Sequence, residues 1–337
     1  MKKWVHISAA CAMFCVLLAA APYRWVLMDM QRLPGAVGQV IAMAHDDLGN
    51  KYFATPKGLT FIDKSDNFQI FTRSATSGAL ASDSVTCLGV DRYRALWIGT
   101  DGGGLNVYDN GRWKNYRRDS THNGLPDDRV LALAVDKEDR WVGTRNGFAL
   151  FHGSVWTTYS GDRISGRLPN RVVTAIAVDS SGNKWIGTIG GLVKFTGSTW
   201  TQYTVQSTRG GLPHDGITYL LVDSANSIWV GTQAGVARLD RDGKWTNFQT
   251  DSRLKELAKE VVYSLSLSPA GDVWACIRGG STRFRNNNWE LFTKNTTTGL
   301  LTRYIYTVMA GPEGEIWFGT EKGVAIMYPP EVHDEDN

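Results

Sequence analysis

Nowhere in this sequence of 337 residues does a 3.6-residue apolar period run long enough to build a helix pair, which excludes the helical solenoids. Charge of one sign is also missing in bulk. Lys and Arg number 36 against 33 Asp and Glu, and Lys2 and Lys3 supply two of the three net positive charges. A stripe of cations dense enough to release many counterions is therefore absent, which argues against nucleic acid as the main partner. Cysteine is scarce, with four in all, and pairs at zinc-site spacing are missing from the body of the chain. No Gly-x-Ser-x-Gly elbow occurs, and the run Gly102-Gly103-Gly104 departs from the phosphate-loop pattern and reads as a turn. Beyond the N-terminal segment the histidines are His45, His122, His152, His214 and His333, with no two close in sequence. These absences leave no catalytic residue, metal ligand or cofactor to assign.

What is present is enough apolar material for a core: 42% of residues are hydrophobic and 20% charged. Residues 1–21 read as an export signal or signal anchor, with Lys2 and Lys3 followed by an apolar run from Ile7 to Ala21 broken only by Ser8. The run is short for a membrane span, while Pro22 and Leu18 are poor flanks for cleavage, so an uncleaved anchor stays open. The expected location is periplasmic or extracellular, with contact to the inner membrane only through this segment. Export places Cys87 and Cys276 in an oxidising compartment, where a pair could bridge.

A repeat decides the fold. Tyr52, Trp97, Trp141, Trp185, Trp229, Trp274 and Trp317 each open a similar segment, most of them Trp-x-Gly-Thr, at spacings of 43 to 45 residues. Each unit carries four short strand signals. An alternating strand ends at an acidic turn such as Asp136, Asp179 or Asp223, and the Trp-x-Gly-Thr strand follows. A glycine turn then leads to a third strand and to a fourth of the form Trp-x-x-aromatic. Four strands per period of this length is the propeller pattern, so the expected fold is an all-β, seven-bladed β-propeller spanning residues 22–330. Within a strand the Trp and Gly share one face, so the Trp is expected to pack across the gap between blades and the Gly to make room for a neighbouring side chain. The recurrent aspartates are expected to bond local backbone rather than share a metal.

The seventh unit stops after Tyr328 without its fourth strand. Trp25 to Met28 supplies a matching segment at the other end of the chain, and its pairing into the last blade is expected to close the ring. Cys87 then falls in blade two and Cys276 in blade six, too far apart to bridge. Residues 331–337 form an acidic tail.

The combined pattern resembles the two-component regulator propeller repeat. Gly124-Leu125-Pro126, Asp136 and residues 141–144 carry it in one unit; Leu168-Pro169, Asp179 and residues 185–188 in the next; Gly211-Leu212-Pro213, Asp223 and residues 229–232 in a third. Tyr52 and Trp274 head units that depart from it while keeping the spacing. The resemblance covers residues 25–328 and implies an extracytoplasmic sensor module, often set ahead of a transmembrane helix and a histidine kinase or cyclic-dinucleotide enzyme. No apolar span follows Tyr328 in this sequence, so any signal is expected to pass to a separate kinase or cyclase.

On such a ring the loops entering the innermost strands and the loops between second and third strands are expected to share one axial face. Two residues before each inner strand stand Gly38, Asp83, Asp128, Arg171, Asp215, Glu260 and Arg303; after the Trp-x-Gly-Thr strands stand Asp101, Arg145 and Arg278 among others. One reading is a polar rim around the channel mouth, suited to a polar small ligand, an oligosaccharide or a peptide. The other is that these side chains satisfy local backbone groups or meet solvent. A non-catalytic binding module is the leading expectation. The alternatives are a metal-dependent lyase resembling the streptogramin lyase propellers, for which His214 beside Asp215 is the local candidate, and an envelope scaffold.

Overall fold

Alternation within each repeat resolves into strands at the expected places. In blade three these are Val130–Asp136, Asp139–Thr144, Gly147–His152 and Val155–Tyr159. The computed structural model describes residues 23–29, 38–65, 67–249, 251, 258–295, 297, 302 and 304–328. The expected signal segment, Leu33-Pro34, Arg303, Pro329-Pro330 and the acidic tail lie outside the described residues. Among those described, seven four-stranded antiparallel sheets make up an all-β propeller, and no helix is long and apolar enough to cross a membrane. Blades one to six span residues 42–71, 85–116, 130–159, 173–203, 217–247 and 262–292. Blade seven joins 305–328 to the strand Arg24–Asp29.

That closing strand pairs with Gly323–Tyr328 in a register running from Arg24 opposite Tyr328 to Asp29 opposite Gly323. Trp25 stacks on Phe318 with ring centroids 5.4 Å apart, and the Arg24 guanidinium lies 4.3 Å from the Tyr328 ring. The ring closes as the two chain ends imply.

The recurrent motif has a mechanical basis at each residue. Its Trp packs on the following blade: Trp97 meets Phe151, Trp229 meets Phe284, Trp274 meets Phe318 and Trp317 meets Phe53, at 5.1–6.0 Å between centroids. Its Gly leaves space for the first inner-strand residue of the next blade. A Cβ built on Gly143 would stand 2.7 Å from Val173, and on Gly187 only 2.5 Å from Ile217. Its Thr hydroxyl donates across the turn to a glycine carbonyl, as in Thr144 to Gly147 at 2.8 Å and Thr232 to Gly235 at 2.7 Å. In blades two to seven the inner strand carries a bulge between its first and third residues, which bends it around the channel.

Acidic turns bond local groups, as expected, in blades four and five. Oδ1 of Asp179 accepts the amides of Ser181 and Asn183 while Oδ2 accepts Trp185 Nε1. Asp223 repeats this with Ala225, Ser227 and Trp229, and Asp91 in blade two with Tyr93, Ala95 and Trp97. Asp136 does not follow them. Its turn is shorter, since Asp136 itself pairs with Asp139 across Lys137 and Glu138, and Trp141 Nε1 is left buried without a partner. Blade three instead sends Arg140 across the gap to the Asp91 carboxylate, with both side chains buried and the guanidinium 4.9 Å from the Trp97 ring.

Cys87 and Cys276 are free thiols in blades two and six. Burial pushes the Cys87 thiol up to about 12 and raises that of Cys276 as well.

Gly187→Ala is expected to lower unfolding stability by about 1–3 kcal/mol, because the added methyl must displace Ile217 from a packed interface. Urea titration measures it, and Gly182→Ala, with nothing within 4 Å, separates steric cost from loss of its left-handed backbone at φ 78°. Burial raises the Asp91 carboxyl, but hydrogen bonds from Trp97, Arg140 and Ala95 outweigh it and hold the group below its ordinary value. A depressed carboxyl contributes stability that is fully present above its unfolded pKa near 4 and is lost as pH falls through the folded value. Asp91→Asn is therefore expected to cost about 3 kcal/mol at pH 7 by stranding Arg140, and to flatten the loss of stability as pH falls below about 4 in thermal melts.

Candidate functional site

Backbone hydrogen bonds place the two groups of loops on one axial face, here the upper face. Gly102 and Gly104 donate to the Asp128 carbonyl, Gly147 to that of Arg171, and Gly235 to that of Glu260. In blades two, three and five the loop between second and third strands is thus fastened to the inner-strand entrance of the following blade. Such loops are also fastened to the entrance of their own blade: Asp101 donates to Ser84, Arg145 to Arg129, Arg278 to Val261 and Glu321 to Tyr304.

Three of the rim acids are engaged by local backbone. Asp83, Asp128 and Asp215 accept the amides of Arg73, Arg118 and Val205, each ten residues upstream, where the chain leaves the outer strand and turns. Asp128 also pairs with Arg117 at 3.1 Å. The loops they brace are themselves tied by threonine hydroxyls, such as Thr121 to the Arg117 carbonyl and Thr208 to that of Thr204. Asp101 pairs with Arg129 at 3.2 Å, and Arg145 and Arg171 stand exposed. Gly38 lies on the described backbone with a positive φ of 122°.

Glu260 and Arg278 come together differently. They form an exposed ion pair at 3.6 Å beside Tyr263, whose hydrogen bond with Arg278, reinforced by the Glu260 charge, holds the guanidinium more firmly protonated. Tyr263 and Tyr306 meet edge to face at 5.9 Å. Burial raises the Tyr306 phenol, and Glu321, Tyr263 and Tyr304 add to the shift. Thr302 donates to Glu321 at 2.8 Å, and Tyr304 keeps 44% of its surface exposed. Blades six and seven therefore gather three tyrosines, a guanidinium and two carboxylates at the channel mouth. The sequence reading found Glu260 and Arg278 and missed the tyrosines. Their signal is positional: the second inner-strand residue is Thr86, Leu131, Thr174 and Thr218 in blades two to five, then Tyr263 and Tyr306.

Deeper in the channel, the third inner-strand residue is Cys87, Ala132, Ala175, Ser264 or Thr307, and in blade five it is Tyr219. Tyr219 keeps 37% of its surface accessible, yet burial raises its phenol and the Ser264 hydroxyl lies within hydrogen-bonding reach. Both facts fit a side chain facing an enclosed bore rather than open solvent. Cys87 and Cys276, from two other blades, are near enough to act on its charge.

His214 and Asp215 do not pair with each other. His214 Nδ1 accepts the Gly216 amide at 2.8 Å, while the Asp215 carboxylate accepts Val205. Among the described residues, no group of three His, Cys, Asp or Glu is arranged to hold a metal ion.

Solved structures with this fold include extracellular domains of two putative hybrid two component systems of B. thetaiotaomicron. The first is 18% identical with a TM-score of 0.77, covering 91% of this chain and 42% of that one. The second is 20% identical with a TM-score of 0.71, covering 92% and 40%. This chain thus spans about two fifths of the length of those domains. A virginiamycin B lyase from Staphylococcus aureus, solved with quinupristin, is 14% identical with a TM-score of 0.71, covering 91% of this chain and 99% of the lyase. At these identities the likeness is one of fold. Among curated proteins no match is found. Residues 211–234, from Gly211 through the Trp-Val-Gly-Thr strand of blade five, match the family described as the two component regulator propeller, so that stretch of the chain is a repeat of that family.

Proposed function

We propose that this chain is an extracytoplasmic, non-catalytic sensor propeller that binds a polar ligand at the upper channel mouth and passes the signal to a separate kinase or cyclase. The observation that carries this reading is the cluster of Tyr263, Tyr304 and Tyr306 around the Arg278–Glu260 pair. Aromatic faces offer flat apolar area with a hydroxyl at the edge, and the guanidinium and carboxylates supply donors and acceptors in fixed positions. An oligosaccharide, with ring C–H groups on one face and hydroxyls around it, matches that combination best. The Arg278 and Glu321 loops are fastened to the inner-strand entrances of their own blades through the Val261 and Tyr304 carbonyls, so the surface is held in shape before a ligand arrives, which lowers the ordering cost of binding. Support for the sensor role comes from the repeat family and from the extracellular sensor domains that share the fold.

Calorimetric titration against oligosaccharide and peptide panels tests the reading. Tyr263→Ala and Arg278→Ala are expected to weaken a discovered ligand at least ten-fold; equal affinity in both variants would place the site elsewhere. Asp128→Ala separates scaffold from surface. It is expected to cost about 0.5–2 kcal/mol of unfolding stability through its lost backbone bond, as measured by chemical denaturation, and to leave affinity at blades six and seven unchanged.

A further inference from the structure

On the opposite face, blades five and six bound a cleft of about 260 Å³ lined by Asp223, Trp229, Arg238, Asp272, Phe284 and Arg285. Arg238 and Arg283 occupy equivalent positions in their blades, opposite Trp229 and Trp274 in the third-strand register. In blade six the cation is compensated twice: Arg283 lies 3.9 Å from Asp272 and pairs with Glu290 on the outer strand. The corresponding positions in blade five are Ser227 and Thr246, the latter opposite Arg238 as Glu290 is opposite Arg283. Both acids are gone while the arginine stays. Among the described residues Arg238 has no ion pair, whereas Arg283 has two; the buried Nε of each lacks a hydrogen-bond partner. The Arg238 guanidinium is held 5.6 Å from the Trp229 ring and 5.9 Å from the Phe284 ring.

The acids that line the cleft are already committed. The Asp223 carboxylate accepts Ala225, Ser227 and Trp229, and Asp272 accepts Arg285 at 2.7 Å. What faces the cavity is one uncompensated planar cation against an aromatic wall, and an unpaired polar group at such a site costs free energy until a partner arrives. We propose that this cleft binds a small organic monocarboxylate, with its oxygens on the Arg238 guanidinium and its hydrocarbon part toward Phe284. The nearby charge of Asp223 disfavours a doubly charged anion such as phosphate, and a cleft of about 260 Å³ admits a ligand of roughly ten heavy atoms. The site is independent of the upper mouth and shares no residue with it.

The test follows the Arg238 Nε–H and Trp229 indole N–H resonances of the labelled full chain during titration with acetate, butyrate, inorganic phosphate and the blocked dipeptide analogue N-acetylglutamate amide. Saturable shifts with acetate and butyrate, at least ten-fold weaker with phosphate, are expected. Arg238→Met, which keeps the apolar stem, and Thr246→Glu, which restores the blade-six pairing while keeping the arginine, are each expected to abolish them, with melting temperatures confirming that both variants fold. The proposal is overturned if neither free acid saturates, if Thr246→Glu binds as the parent does, or if only the blocked glutamate saturates, which would assign the cleft to an acidic protein side chain.

Discussion

Sheet-on-sheet contact across the gap between blades is the constraint from which the rest of this structure follows. Each blade is apolar on both faces, so none can bury its surface alone, and the separation between faces is set where a glycine stands against Val130, Val173, Ile217 or Val262 of the next sheet. Those glycines let the inner strands approach while the tryptophans fill the wider part of the gap. A single open edge would expose one such face, and the strand Arg24–Asp29 removes it by completing blade seven.

Where one blade departs from the shared solution, other contacts take its place. The turn of blade three is too short to hold its tryptophan, and its Arg140 reaches back to the carboxylate of blade two. In blade seven Glu315 takes the acidic role two residues before Trp317 rather than six. In blade six Cys276 stands in the glycine position opposite Ser264, whose hydroxyl accepts the Val308 amide of the next blade. Departures of this kind are local, because the gap between sheets tolerates different chemistry so long as its width is kept.

The fold was legible because period, turn glycines and the Trp-x-Gly-Thr strand all point to the same four-stranded unit. Closure was legible for a simpler reason: one blade was short by a strand and the other end of the chain had one to spare. The face that carries the loops was legible too, but the roles of its residues were not. Asp83, Asp128 and Asp215 look like a charged rim when aligned by position, and only the fold reveals that the amides of Arg73, Arg118 and Val205 return to meet them. Tyr263 and Tyr306 were hidden for the opposite reason, since a tyrosine in a strand reads as packing until its neighbours across the channel are known. Asp136 misled because an acid before a tryptophan suggests the same turn whatever its length.

The pairing that locks the circle also fixes how it would respond to a pull. Arg24 and Tyr328 sit opposite each other at one end of the same antiparallel pair, so the chain enters and leaves blade seven side by side. Tension drawing these two points apart would load the six residue pairs one after another, as a zipper opens, rather than all together in shear. The clasp is thus the mechanically softest joint of a ring whose other blades are each wound from continuous chain.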